Sequence, residues 1–136
     1  METLTIGKLA KQSGVAVETL RYYERRGLIE PQRRTASGYR LYRPDTMRRL
    51  RFIRRAQALG FSLDEIAELL GMSDNPAGSA GEVKRLTQAK IADIDARIHD
   101  LQRMKQALAA LEETCPGHRG TTAECPILSA LNHAAQ

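Results

Sequence analysis

The chain has 136 residues, 42% hydrophobic and 27% charged, with no Trp, two Phe and four Tyr. Such a composition folds around an aliphatic core, and the length fits one small domain with an appendage. No apolar run approaches the ~18 residues a membrane span needs and no signal-peptide pattern opens the chain, so no membrane partner and a cytoplasmic location are expected. The net charge of +5 is unevenly spread: residues 1–60 hold 14 Lys and Arg against 5 Asp and Glu, whereas residues 61–136 hold 7 against 11. A front half at +9 joined to a back half at −4 fits a polyanion-binding head attached to a segment with another task. Arg dominates the basic residues of that head, and its planar guanidinium can bond a phosphate through two donors.

Thr5 is placed to cap a short helix over Ile6 to Ser13, which Gly14 breaks. A second helix is expected from about Val17 to Arg26, with Gly27 as its left-handed stop. Helix, tight turn and helix form a helix-turn-helix, in which the second helix enters the major groove. Residues 28–43 read as extended, with Ser37-Gly38 turning between Arg33-Arg34-Thr35 and Tyr39-Arg40-Leu41-Tyr42 to make a two-stranded wing. Pro44 and Asp45 open a third helix, Asp45 to Leu59, closed by Gly60. Ser62 and Glu65 are spaced as a capping box for a fourth helix reaching about Leu70. Residues 71–81 have the composition of a linker. From Glu82 to about Glu113 there is neither Gly nor Pro, so one helix of about 45 Å is expected. Along it Ile91, Ile94, Ile98, Leu101 and Leu108 fall on a heptad seam. Too little chain remains to cover that stripe, which favours an antiparallel homodimer.

The DNA-contacting residues follow from this layout. Arg21, Tyr22 and Tyr23 lie on the second helix, where one tyrosine of the pair is expected to pack into the core. Arg33, Arg34, Tyr39 and Arg40 belong to the wing, within reach of phosphates, and Arg54 on the third helix adds a backbone contact. No nucleophile–base pair, phosphate loop or carboxylate constellation stands out, so the protein is not expected to be an enzyme.

These segments together, Thr5-Ile6-Gly7-Lys8-Leu9-Ala10, Leu20-Arg21-Tyr22-Tyr23-Glu24-Arg25-Arg26-Gly27-Leu28, Gly38-Tyr39-Arg40-Leu41-Tyr42 and Leu59-Gly60-Phe61-Ser62-Leu63-Asp64-Glu65-Ile66, closely resemble the MerR family of bacterial regulators. The resemblance covers residues 4–70 strongly and extends through the long helix. It implies a mainly α fold. A winged helix-turn-helix domain (residues 1–70) and a linker (71–81) lead to a long antiparallel coiled-coil dimerisation helix (82–113), then a short effector loop and C-terminal helix (114–136). It also implies a mechanism. The dimer sits on a palindromic operator in an overlong spacer of double-stranded promoter DNA, and effector binding distorts that spacer so that RNA polymerase engages both promoter elements. The efflux or detoxification genes typical of the family are expected targets by analogy.

The only two cysteines, Cys115 and Cys125, follow the long helix. In a chain expected in the cytosol, an isolated pair points to metal or redox chemistry before a structural disulfide. Their position resembles the metal-binding loop of the metal-sensing MerR branch, and Cys125-Pro126-Ile127-Leu128 is particularly similar to it. That resemblance makes Cys115 and Cys125 metal ligands, with His118 as a candidate third; His99 and His133 are less well placed. Two thiolates suit a soft monovalent ion, Cu(I), Ag(I) or Au(I), which accepts linear coordination. Zn(II) and other divalent soft ions (Cd, Pb, Hg) rank second because four ligands are the rule for Zn(II). Divalent sensors of the branch resembled carry a further Cys where this chain has Ser79-Ala80-Gly81-Glu82. Monovalent sensors carry a Ser there, matched by Ser79 in one alignment and replaced by Ala80 in another. A thiol redox switch ranks third. A regulator answering to a small organic ligand and an architectural dimer with no effector complete the alternatives.

Overall fold

Thr5 stands at the joint between a strand and a helix, and its hydroxyl fixes where one ends and the other begins. The computed structural model describes residues 3–115, 117 and 120–133. The chain divides into two compact units, residues 1–86 and 87–136. In the first, strand β1 (Leu4–Thr5) runs directly into helix α1 (Ile6–Ser13). Thr5 Oγ1 accepts the Lys8 backbone N–H at 3.3 Å, which satisfies one of the free donors of the first turn. Gly14, at φ 74°, ends the helix with its N–H on the Ala10 carbonyl. Helix α2 (Val17–Arg25) follows at once. Its end is a left-handed cap at Gly27 (φ 75°), where the Gly27 N–H bonds the Glu24 carbonyl and the Leu28 N–H bonds the Tyr23 carbonyl.

The wing is strand β2 (Arg33–Arg34) against β3 (Arg40–Tyr42), with Gly38 turning at φ 90°. The sheet has a third strand that sequence patterning did not supply. β1 pairs antiparallel with the other edge of β3, in the register Leu4 with Tyr42 and Thr5 with Leu41, giving the order β1-β3-β2. Two residues are too few to show alternation, so only the tertiary pairing reveals them. Its effect is to tie the wing's inner strand to the start of the helix-turn-helix.

Helix α3 (Thr46–Ala58) buries Thr46, Leu50, Ile53 and Ala56 on one face and leaves Arg48, Arg51, Arg54 and Arg55 exposed. Helix α4 (Leu63–Ser73) opens with both halves of the expected capping box: the Glu65 N–H reaches Ser62 Oγ at 3.2 Å and the Ser62 N–H reaches Glu65 Oε1 at 2.8 Å. It runs three residues past the expected end, because Leu70 is buried and the Asp74 N–H closes a further turn on its carbonyl. Helix α5 starts at Ala80, so the interhelical connection is residues 74–79, shorter than the 71–81 read from composition.

Leu9, Leu20, Leu28, Ile29, Tyr42, Leu50, Ile53 and Ile66 are fully buried, drawn from α1, α2, the segment after it, β3, α3 and α4. Each such side chain contributes on the order of 1.5–3 kcal/mol by leaving water. Arg49 closes the rear of this unit: its Nε donates to the Leu28 carbonyl at 2.6 Å and its Nη1 pairs with Asp74 at 3.1 Å.

Helix α5 (Ala80–Thr114) has 35 residues, about 52 Å at 1.5 Å per residue, and its later turns form the body of the second unit. Ile91, Ile94, Ile98, Leu101 and Leu108 are 39–63% exposed in the single chain. Ion pairs of Asp93 with Lys90 and Arg97, and of Asp100 with Arg103, lie on the same helix. A short 3₁₀ turn (Thr122–Glu124) and helix α6 (Pro126–Asn132) follow.

Candidate functional site

The exposed face of α2 carries Arg21 and Tyr22, whereas Leu20 and Tyr23 on the opposite face are buried. Tyr22 has two guanidinium groups near its ring, those of Arg25 and Arg26, centred 5.6 and 5.7 Å from its centroid. Arg26 Nη1 also donates to the Tyr22 hydroxyl at 2.8 Å, and Arg26 Nη2 pairs with Asp64 of α4. Tyr23 is the residue of the adjacent pair that belongs to the core. Its ring is 3% exposed and its hydroxyl bonds Gln57 Oε1 at 3.2 Å, so the expected DNA contact at Tyr23 is corrected to a packing role. Two neighbours on a helix point about 100° apart, and Tyr23 shares the buried stripe with Leu20, three residues earlier.

In the wing, Arg33 and Arg34 lie exposed on β2 and Tyr39, at 69%, is the most exposed aromatic side chain among the described residues. The turn that presents it is closed by the Thr35 N–H on the Tyr39 carbonyl at 2.7 Å and by the Tyr39 N–H on Thr35 Oγ1 at 3.0 Å. Arg40 is partly buried, with Nε 2.7 Å from Glu24 Oε2. The other oxygen of that carboxylate, Oε1, accepts the Tyr42 hydroxyl. Burial, and then the bonded Glu24 carboxylate, push the Tyr42 phenol well above its ordinary range. In the sequence Glu24 has no assigned partner, and it is the structure that joins it to Arg40 and Tyr42. The available signal was an acid three residues after Arg21 in a segment otherwise basic. Arg54 is exposed on α3 and lines a shallow cavity of about 360 Å³ with Gln12, Ser13, Arg51 and Arg55.

In the second unit, Cys115 directly follows α5 and its N–H bonds the Glu112 carbonyl at 3.1 Å. Gly117, at φ 72°, and a Gly120 N–H bond to the Gly117 carbonyl at 3.2 Å turn the loop back. Cys125 is the N-cap residue of α6, with Pro126 at the first helical position, where its missing N–H costs nothing. The two Sγ atoms come to 3.9 Å; both thiols are free and partly buried. Cys125 closes no complete cap hydrogen bond, yet the nearby amides of Leu128 and Ile127, with the Cys115 thiol, hold its thiol below the ordinary range. His118 lies outside the described residues. Among the described residues no third His, Cys, Asp or Glu joins the pair.

The pair fits a thiophilic ion. Bonds of about 2.3 Å to both sulfurs, spanning the observed 3.9 Å, enclose an angle of about 116°, near that of a tetrahedral edge. A linear bis-thiolate with the same bonds requires the sulfurs to open to about 4.6 Å. Among the described residues no helix is long and apolar enough to cross a membrane.

A helix-turn-helix backed by a wing, followed by a long helix with an uncovered apolar seam, defines a class of DNA-binding regulator. Within that class the chain belongs to the MerR family. Residues 4–72 match the family described as MerR HTH family regulatory protein, and residues 47–111 match MerR, DNA binding. The chain is 46% identical, over 93% of its length and 95% of the relative's, to the mercuric resistance operon regulatory protein of Bacillus cereus. It is 41% identical to the HTH-type transcriptional regulator CueR of Yersinia pestis, over 94% of this chain and 91% of that protein. Its fold matches the transcription regulator PbrR691 from Ralstonia metallidurans CH34, solved in complex with lead(II). That match has a TM-score of 0.84 and 38% identity, covering 94% of this chain and 98% of the other.

Proposed function

We propose that this protein is a metal-responsive transcriptional regulator of promoter DNA, working as an antiparallel homodimer in the cytoplasm. The observation that carries the metal reading is the Cys115–Cys125 pair, held 3.9 Å apart by a turn at the end of the long helix. Relatives spanning nearly the whole chain include a mercuric resistance regulator, and a solved neighbour holds lead(II). Cys115 and Cys125 bind the ion. Arg21 and Tyr22 face the major groove, and Arg33, Arg34, Tyr39, Arg40 and Arg54 grip phosphates. The exposed stripe of Ile91, Ile94, Ile98, Leu101 and Leu108 joins the two copies. Bound metal shifts the dimer toward the form that distorts the operator, and RNA polymerase then engages the promoter.

Cu(I), Ag(I) or Au(I) is the favoured ion, since this chain offers two thiols and such ions need no more. A divalent ion such as Zn(II), Pb(II) or Hg(II) is the second reading. It is favoured by the present sulfur separation, which is close to a tetrahedral edge. Titration of the reduced, anaerobic protein with Cu(I), Ag(I), Zn(II), Pb(II) and Hg(II), paired with run-off transcription, tests both readings. Stoichiometric binding that is lost in Cys115→Ser, with output rising on metal addition, is the expected result. Failure of every ion to bind, or equal output with and without it, overturns the metal reading.

A further inference from the structure

A carboxylate at a DNA-facing surface works against attraction to phosphate, and residues 1–60 hold only five acidic side chains. Glu24 is one of them and it sits between the two elements proposed to touch DNA. Its side chain is 19% exposed. One oxygen pairs with Arg40 Nε and the other accepts the hydroxyl of Tyr42, itself fully buried in the core. Arg40 Nε is buried and makes no aligned hydrogen bond, so the ion pair with Glu24 is what offsets its desolvation. Three side chains bridge α2 and β3: Glu24 comes from the helix, Arg40 and Tyr42 from the wing.

Two consequences follow from this geometry. The ion pair engages the Nε edge of Arg40 and leaves its two Nη groups for an outside acceptor, so the guanidinium is aimed before DNA arrives. The rotamer freedom of a long Arg side chain is also lost during folding, which spares that cost at the moment of binding. The ion pair and the hydrogen bond of Glu24 further couple the wing to the helix, so that a phosphate grip and a groove reading are made in one register.

We propose that Glu24 is a positioning residue for operator discrimination, orienting Arg40 and locking the wing to the recognition helix through Tyr42. This rests on the DNA-binding reading above. Removing the carboxylate raises the local positive charge, so general attraction to any duplex holds or increases. Sequence discrimination falls, because the wing no longer keeps register with the helix.

The test uses the full-length wild-type protein, Glu24→Gln and Tyr42→Phe. Their affinities are measured across a salt series for a duplex selected by the wild-type protein from a randomised pool and for a scrambled duplex. Glu24→Gln is expected to bind the scrambled duplex as well as or better than wild type, to keep or steepen the salt slope, and to lose about tenfold in the ratio of selected to scrambled affinity. Tyr42→Phe, which removes one anchor, is expected to lose part of that ratio. Ratios within about twofold of wild type in a Glu24→Gln protein that melts normally overturn the proposal. If Glu24→Gln fails to fold, Arg40→Lys answers the question: it keeps the charge and removes Nε, and an unchanged ratio overturns the proposal equally. A wild-type protein that does not discriminate between the duplexes overturns the DNA reading itself, an outcome distinct from the failure of Glu24 alone.

Discussion

Cys115 and Cys125 lie ten residues apart in sequence, and their sulfur atoms come to 3.9 Å. Cys115 is anchored to the end of a long helix and Cys125 to the start of a short one, so an ion held by both would join the two helices. For a monovalent ion, Cys115→Ser and Cys125→Ser should each abolish stoichiometric binding, whereas His118→Ala should leave it intact. X-ray absorption on the Ag(I) or Cu(I) protein should then report two sulfur neighbours. Three or more protein ligands, or loss of binding in His118→Ala, would shift the assignment to a divalent ion.

The seam of α5 leads to a second expectation. Ile98 and Leu101 are about half exposed or more in the single chain, and a buried carboxylate in place of either would be desolvated without a partner. Ile98→Asp should convert the homodimer to monomer in analytical ultracentrifugation and weaken operator binding together with it. A dimer that survives this change would show that the seam is not the interface.

The capping box at Ser62 offers a stability test at a residue given no role in DNA or metal binding. Ser62→Ala removes the acceptor of the Glu65 N–H and should lower stability by about 1 kcal/mol, read as a lower melting temperature. Metal stoichiometry should not change. A loss below about 0.3 kcal/mol would mean that solvent replaces the cap without cost.

Tyr42 carries a pH dependence whose sign is fixed by its environment. Its phenol is held neutral by burial and by the hydrogen bond to Glu24, so its folded value lies above the unfolded one. The stability this provides is complete below about pH 10 and is lost as the pH rises from there toward the folded value. Denaturation between pH 9 and 12 should therefore show a decline in stability that Tyr42→Phe makes shallower. Parallel curves for the two proteins would refute this assignment.

Several features of the DNA-binding unit were legible in local sequence because local chemistry decides them. Thr5 as a cap, Gly14 as a break, Gly27 as a left-handed stop, and Ser62 with Glu65 as a capping box need no information beyond a few neighbouring residues. Tyr22 and Tyr23 are not told apart by local pattern. Their adjacency shows that one faces the core, and only the packing around Leu20 and Gln57 selects Tyr23. The end of α4 was misplaced for a related reason: Gly71 reads as a break, but burial of Leu70 outweighs its propensity cost of about 1 kcal/mol.

The sequence by itself determined the order of the elements, the basic character of the head, the apolar seam of the long helix and the presence of two cysteines beyond it. These are properties of periodicity, charge and capping, which act over a few residues. The tertiary structure decided the third strand, the partners of Glu24 and the distance between the two sulfurs. Leu4 meets Tyr42, and Glu24 meets Arg40, across separations that no local pattern encodes. Cys115 and Cys125 were visible from the start as a pair; the backbone turn at Gly117 and the cap of α6 bring them to a separation that one ion can span.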